Sequence, residues 1–374
     1  MEWLIAIFLM AAGTQFFLLS KIARAVGYQR LDHKAIEPLT VIVAARNEAQ
    51  NIEVCLNALL ANDYAEDWYI LVVNDRSEDD TGAILEALSA RHPRLSILHI
   101  SHCPEGMPPK KHALTQAIQQ AQTDLLLFID ADCIAPPNWV QSMAEGFRGS
   151  TELVLGTSPY LRRPGFLNAL IQYETLQTAF LYLGMAGLEL PYMGVGRSLA
   201  YRKSFFENIG GFQSGIQSLS GDDDLLVNHH GRGRHTSTVR SSPVLSIPPD
   251  SWHTWWRQKL RHLSAGKWYR PERMIYPGLF QSSWLLALIT GLIISIYKPF
   301  PLLIILYVFS LFRFFLWVRT VKFQGNYARE FVLLPLLECF FVLYQVGMIP
   351  LGMILKPKWT SSHPHPPEQK KTEF

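Results

Sequence analysis

The sequence is poor in cysteine and in net charge. Its four cysteines, Cys55, Cys103, Cys133 and Cys339, stand far apart in 374 residues with no paired spacing. That scatter argues against a disulfide framework and against structural zinc, and it suits a reducing compartment. The 34 basic and 31 acidic residues leave a net charge of +3, and a pI near 8.6 is too mild a basicity to indicate a nucleic-acid partner. No internal repeat is present, which excludes solenoid and propeller arrays. Disorder-prone composition is confined to the His/Pro-rich tail after Ser361. His229, His230 and His235 lack a matched set of metal ligands and read as a basic, solvated loop.

Long apolar runs are present, and they sit at the two ends. Trp3 to Leu19 is apolar apart from small or uncharged polar residues, long enough to cross about 30 Å of hydrocarbon at about 1.5 Å per residue. Glu2 precedes this run, while Lys21, Arg24, Arg30 and Lys34 follow it, the reverse of the charge order of a cleaved signal peptide. Residues 1–24 are therefore expected to be an anchor that leaves the next domain in the cytosol, in a multi-pass protein of the inner (plasma) membrane. Near the carboxyl end, Leu279–Tyr297, Phe300–Val318 and Phe331–Leu355 read as further spans, the last interrupted by Pro335 and Pro350. Counting spans puts the tail, 356–374, outside, yet its Lys356, Lys358, Lys370 and Lys371 favour the inside. The final segment is accordingly expected to be re-entrant or interfacial. Arg313 and Glu338 fall inside these apolar spans, where an isolated charge costs at least about 2.5–3.5 kcal/mol. Either they pair, or Arg313 snorkels to the headgroups while Glu338 lines a wet groove.

Between the ends, residues 38–250 alternate short apolar runs with polar, helix-like stretches, the punctuation of an α/β domain. Leu39–Ala45, Tyr69–Asn74 and Leu125–Ile129 are continuous apolar runs, as expected of parallel strands covered on both faces. Each runs directly into charged residues, and ligands bind outside the carboxyl ends of such strands. Arg46–Glu48, Asp75 and Asp130–Asp132 are thus expected to converge. After Pro249, Trp252, Trp255, Trp256, Leu260 and Leu263 recur at helical spacing opposite Arg257, Gln258 and Arg261. Residues 251–270 are therefore expected to form an amphipathic helix in the headgroup layer.

Four segments carry chemistry. Asp130-Ala131-Asp132 ends a buried strand, and its hard oxygens suit Mg²⁺ or Mn²⁺ beside a diphosphate; the plainer alternative is a solvated acidic loop. Asp75, at the end of its strand, is either a ligand for a base or ribose or a turn residue, while Ser77, Asp79 and Asp80 are expected to cap the next helix. Gly221-Asp222-Asp223-Asp224 crowds three acids, which need cations, hydrogen bonds or open water. It holds either a general base or an exposed acidic turn. Gln258 and Arg261, three apart on one helical face, can reach a diphosphate together or meet anionic lipid.

In order and spacing, these segments resemble the family 2 inverting glycosyltransferases, in the branch of cellulose, chitin and hyaluronan synthases and ceramide glucosyltransferase. The resemblance covers most of Leu39 to His262. It takes in Ala44-Ala45-Arg46-Asn47-Glu48, Asp75, Lys110-Lys111-His112-Ala113-Leu114, Asp130 and Asp132, Gly194 to Arg202, Gly210-Gly211-Phe212, and the acids preceding Leu225-Leu226. It implies a GT-A-like nucleotide-sugar-binding α/β domain with a mostly parallel sheet, joined to transmembrane helices. Ala44, Arg46, Glu48 and Asp75 would line the nucleotide, and Lys110 and Asp130 would orient donor groups. Asp132, with Asp130, would hold Mg²⁺ or Mn²⁺. Asp223, with Asp222 beside it, would deprotonate the acceptor. Gln258 and Arg261 would close over the leaving group, and Gly196, Arg197, Trp255 and Trp256 would lie on the acceptor side.

The implied reaction is transfer of a sugar, with inversion, from a nucleotide-sugar donor, a UDP-sugar first, to a lipid or saccharide acceptor at the membrane. One departure stands out: His262 replaces the tryptophan of the family's closing Gln/Arg-x-x-Arg-Trp. In processive synthases that aromatic supports the growing sugar chain, so a lipid-linked acceptor is preferred over polymer extension. Trp252, Trp255, Trp256 and Trp268 are the nearby aromatics that could take its place. A processive synthase and a silent nucleotide-sugar sensor are the rivals, and the oligomeric state is left open.

Overall fold

The computed structural model describes residues 1–26, 37–297, 299–323 and 325–354. The polar tail, together with Arg30 and Lys34, lies outside the described residues. Among the described residues nine strands form, β1 (Leu39–Ala45), β2 (Trp68–Asp75), β3 (Leu95–Ile100), β4 (Leu125–Asp130), β5 (Cys133–Ile134), β6 (Leu153–Leu155), β7 (Leu199–Arg202), β8 (Thr236–Thr238) and β9 (Leu245–Ser246). Seven of them build one sheet in the order β3-β2-β1-β4-β7-β6-β8, and β5 and β9 form a separate ribbon. β3, β2, β1 and β4 are parallel, whereas β7 runs antiparallel to both β4 and β6.

The helices are α1 (Glu2–Ala25), α2 (Ile52–Leu60), α3 (Thr81–Ser89), α4 (Pro109–Gln120), α5 (Trp139–Ala144), α6 (Phe166–Gly187), α7 (Lys203–Asn208), α8 (Asp224–His230), α9 (Trp252–Ala265), α10 (Pro271–Tyr297), α11 (Pro299–Val321) and α12 (Ala328–Ile354). They cover both sheet faces, which is why the central strands are apolar at successive positions. Leu39, Val41 and Val43 of β1 pack with Leu56 of α2, Leu85 of α3 and Val140 of α5, while Ile42 packs with Leu114 of α4 and Leu170 of α6 on the opposite face. In the parallel register Ala44 lies beside Val73 and Asp130, and Ala45 beside Asn74. The polar residues that end β1, β2 and β4 therefore emerge along one edge.

The feature that periodicity did not reveal is α6. Seventeen of its 22 residues are buried, which places the helix inside the protein despite its polar residues. Gln172 donates to the Tyr160 carbonyl at 2.8 Å and the Tyr182 hydroxyl to the Gly156 carbonyl at 2.7 Å, while the Tyr173 hydroxyl, Glu174 Oε2 and Gln177 Oε1 are buried without a hydrogen-bond partner. α6 packs against α1, α11 and α12. The approach to α1 is close, since a Cβ on Gly184 would lie 2.3 Å from Ile22 and one on Gly187 2.2 Å from the Ala25 carbonyl oxygen. Side chains larger than hydrogen at 184 and 187 would drive the two helices apart.

Among the described residues four helical stretches, α1, α10, Leu302–Val321 of α11 and Ala328–Gly352 of α12, are long and apolar enough to cross a membrane. The last segment is not broken into a re-entrant turn: α12 is one 27-residue helix that runs through Pro335 and Pro350, with Leu334 and Leu337 fully buried. Tertiary packing offsets the backbone hydrogen bonds that the two prolines remove. Arg313 and Glu338 are both buried and pair at 2.9 Å. The Trp284 indole N–H donates to the other Glu338 oxygen at 2.7 Å, and the guanidinium lies 3.8 Å over the Trp284 ring. α9 is not solely an interfacial helix: Trp255 is buried against Phe340 and Tyr344 of α12, whereas Trp252 and Trp256 stay exposed.

Candidate active site

A cleft of about 290 Å³ opens at the carboxyl ends of β1, β2 and β4. It is lined by Ala44, Arg46, Glu48, Asp75, Lys110, Asp130, Asp132, Gly196, Arg197, Asp222, Asp223, Gln258 and Arg261. Thirteen of the fifteen residues singled out in the sequence thus meet in one cavity; Trp255 and Trp256 do not line it. Trp255 is drawn into the core by α12 and Trp256 faces outward.

The turns after β1 and β2 hold each other. Asn47 adopts a left-handed φ of 55°; its N–H donates to Ser77 Oγ at 3.0 Å, and its side-chain oxygen accepts from the Glu78 N–H at 2.8 Å. The Glu48 N–H donates to Thr81 Oγ1 at 2.9 Å. Ser77 therefore serves the neighbouring turn instead of capping α3, whereas Asp79 does accept from the Thr81 N–H at 3.1 Å. Asp80 stands at the cap position without a side-chain cap bond. Asp75 is buried and gripped by its neighbour, Arg76, which donates through Nε at 2.7 Å and Nη2 at 3.2 Å.

Lys110 joins the two acidic segments. Its Nζ lies 2.9 Å from both Asp130 Oδ1 and Asp222 Oδ2. Burial disfavours the ammonium, but Asp130, Asp222 and Asp223 outweigh it and hold Lys110 well above the ordinary lysine value. Burial likewise disfavours the Asp222 carboxylate, and Lys110 overcomes this to keep Asp222 below the usual aspartate value. Asp223 caps α8. Its Oδ1 accepts from the Asp224 N–H at 2.7 Å and its Oδ2 from the Gly196 N–H at 2.6 Å. Burial and then the Asp222 charge raise its carboxyl above the ordinary value. Asp224 goes further, up to about 7, through burial and the charge of Asp223, although the Tyr269 hydroxyl donates to it at 2.6 Å. The three crowded acids thus have three different environments: a cation, backbone amides and a phenol.

α9 lays Gln258, Lys259, Arg261 and His262 along the cleft. Lys259 pairs with Glu174 of α6 at 2.7 Å. His262, in the tryptophan's place, lines the cleft while remaining exposed, and the nearby cations Arg261, Lys259, Arg197 and Lys110 disfavour its protonation. α6 adds Glu174, Thr175, Thr178, Ala179 and Tyr182 to the wall, and Phe323, beyond the end of α11, joins them. Reading the sequence missed all six of these, because no period marks a helix buried on every side.

Lys111 was missed as well. It points away from Lys110 into the protein, where Nζ donates to the carbonyls of Gly215 at 2.6 Å, Ser218 at 2.8 Å and Ser220 at 2.8 Å. Burial lowers its pKa, against the pull of Asp222, Asp224 and Asp223. It ties down the loop that delivers the acids to the cleft.

Asp130 and Asp132 supply the hard oxygens that a divalent ion would use. Among the described residues no cluster of three His, Cys, Asp or Glu ligands is assembled. An ion here would therefore complete its coordination with phosphate oxygens and water, which is how Mg²⁺ is commonly held.

A strand-end cleft with paired acids over a mostly parallel sheet defines a GT-A-like nucleotide-sugar domain. Residues 40–210 match the sequence model of Glycosyl transferase family 2. A Probable glycosyltransferase, YdaM, of Bacillus subtilis is 25% identical over 265 residues, 68% of this chain and 60% of the relative. A Poly-beta-1,6-N-acetyl-D-glucosamine synthase of Staphylococcus aureus is 24% identical over 239 residues, 62% of this chain and 55% of the relative. The chain thus spans little more than half the length of these curated relatives. The solved mannosyltransferase PcManGT of Pyrobaculum calidifontis, in complex with GDP-Man and Mn²⁺, has a similar fold, with a TM-score of 0.57, 16% identity and coverage of 94% of this chain and 95% of that one.

Proposed function

We propose that this protein transfers a sugar from a nucleotide-sugar donor, a UDP-sugar first, to a lipid-linked acceptor at the inner membrane, with inversion and from the cytosolic side. The observation that carries the proposal is the continuity of the cleft. Asp75, Asp130 and Asp132 line the cavity that Thr178 and Tyr182 of α6 and Phe323 of the α11–α12 connection also line. An acceptor anchored among the apolar helices can therefore reach a donor held at the strand ends.

In this reading Arg46, Glu48 and Asp75 receive the nucleotide, and Arg76 must yield one of its two bonds to Asp75 for a base to enter. Lys110 keeps Asp130 and Asp222 in fixed positions. Asp132 with Asp130 would hold Mg²⁺ or Mn²⁺, which would supply neutralisation of the diphosphate charge. Asp223 accepts the proton of the acceptor hydroxyl as its oxygen attacks the anomeric carbon, and the bond to the diphosphate breaks on the opposite face. The Asp223 pKa, raised by burial and Asp222, makes it a better base than a surface aspartate. Gln258 and Arg261 meet the departing diphosphate.

A processive polysaccharide synthase is the second reading, favoured by the likeness to the Staphylococcus synthase and opposed by His262 where such enzymes carry tryptophan. Purified full-length protein, mixed with a panel of nucleotide sugars, Mg²⁺ or Mn²⁺ and a membrane lipid extract, should yield one glycosylated lipid and free nucleotide. A ladder of saccharide lengths would favour the synthase. No turnover with any donor would leave a silent nucleotide-sugar sensor.

A further inference from the structure

Arg197 is a cation of the cleft that keeps an unused hydrogen-bond donor. It stands in the short 3₁₀ turn Gly196–Ser198, with its guanidinium 4.3 Å over the Tyr160 ring. Nη1 is buried with no hydrogen-bond partner, and among the described residues Arg197 forms no ion pair. Two further cations of the cleft are engaged: Lys110 with Asp130 and Asp222, and Lys259 with Glu174. Asp132 and Asp130 favour its charge without pairing with it, a buried N–H without an acceptor is costly, and five fixed N–H donors suit it to phosphate or carboxylate oxygens.

The position of this charge sets what it can meet. The residue before it, Gly196, donates its N–H to Asp223, and a Cβ there would lie 3.2 Å from the same carboxylate oxygen. Arg197 and the base therefore hang from one turn, so a group bound at Arg197 is presented to Asp223. The same cavity also carries the apolar side chains of Ala179, Met193 and Phe323, among the polar Thr178 and Tyr182 of α6.

We propose that Arg197 forms an oxyanion subsite, and that the acceptor is an anionic amphiphile. A phosphate or carboxylate near the attacking hydroxyl would sit on the guanidinium, and the apolar body would run along α6 towards the membrane helices. The step balances as a simple displacement. The acceptor O–H bond gives its proton to Asp223, its oxygen bonds to the anomeric carbon, and the nucleoside diphosphate leaves with the electron pair. This inference rests on the lipid-acceptor reading above, so its test measures binding and not turnover.

The full-length protein in nanodiscs of a zwitterionic lipid would be titrated with dodecyl phosphate, dodecanoate, dodecyl glucoside, inorganic phosphate and UDP. The two anionic amphiphiles should bind at least about tenfold more tightly than dodecyl glucoside or inorganic phosphate. Arg197→Gln should remove that preference while leaving UDP affinity within about twofold, and Arg197→Lys should keep part of it. If inorganic phosphate binds as well as dodecyl phosphate, the subsite holds a free anion and the amphiphile is wrong. Should Arg197→Gln weaken UDP and spare dodecyl phosphate, the guanidinium belongs to the donor diphosphate and the proposal falls. A melting curve checks that each variant is folded, and a misfolded Arg197→Gln leaves the decision to Arg197→Lys and the wild-type selectivity. Anion selectivity without any sugar transfer would sink the transferase reading and leave the subsite standing.

Discussion

Replacing Lys111 by methionine tests whether the loop 215–220 governs the acids beside it. The side chains are similar in length, so the change removes an ammonium and its donors more than it removes volume. Three carbonyls, of Gly215, Ser218 and Ser220, lose the donor that now sits at 2.6 to 2.8 Å. An unsatisfied buried polar group costs about 1–3 kcal/mol. Water can reach the half-buried Ser220, and relief from burying the charge offsets part of the loss, which leaves roughly 3 kcal/mol of local destabilisation. At 1.4 kcal/mol per factor of ten, opening of the loop should become about 100-fold more frequent. Amide hydrogen exchange read by mass spectrometry over residues 213–221 should accelerate by that order. Donor affinity should be retained, because the Lys110 bridge to Asp130 is untouched, while transfer falls at least about tenfold through loss of fixed positions for Asp222 and Asp223. Unchanged exchange over the loop in a folded Lys111→Met protein, with normal turnover, would refute the argument.

Asp223→Asn should keep donor binding and lower transfer by about 10²-fold or more. Normal turnover in Asp223→Asn, with loss in Asp222→Asn or Asp224→Asn, would move the base by one residue. The sign of the pH effect follows from the raised Asp223 carboxyl: the ionised base is lost as pH falls, so transfer should decline on acidification, starting from a pH above the ordinary aspartate range. A pH–rate profile with its acid limb at or below that range would contradict the burial argument. Asp132→Ala should nearly abolish the metal dependence of donor binding, read by titrating donor with and without Mg²⁺ or Mn²⁺, and an unchanged dependence would remove Asp132 from the site. In the helix bundle, Arg313→Glu and Glu338→Arg should each lower the yield of folded protein, a buried pair broken on one side costing about 3–5 kcal/mol. The double swap should recover only part of the yield, since Trp284 donates to Glu338 and lies under the guanidinium of Arg313. No recovery would mean that the pair itself contributes little.

Local chemistry was legible in the sequence wherever one residue's environment follows from its neighbours along the chain. β1, β2 and β4 announced themselves as continuous apolar runs, because strands covered on both faces must be apolar at every position. Asp75, Asp130 and Asp132 followed from where those runs end, and the parallel register then required them to converge. The apolar terminal segments declared their own length in the same way. Tertiary structure decided what depends on distant partners. Lys111 finds its carbonyls more than a hundred residues away, α6 has no polar face for periodicity to detect, and Trp255 was turned from the acceptor side into the core by contact with Tyr344. The three acids of 222–224 look alike in the sequence. Lys110, Gly196 and Tyr269 give them different proton affinities, and only folding brings those partners within hydrogen-bond reach.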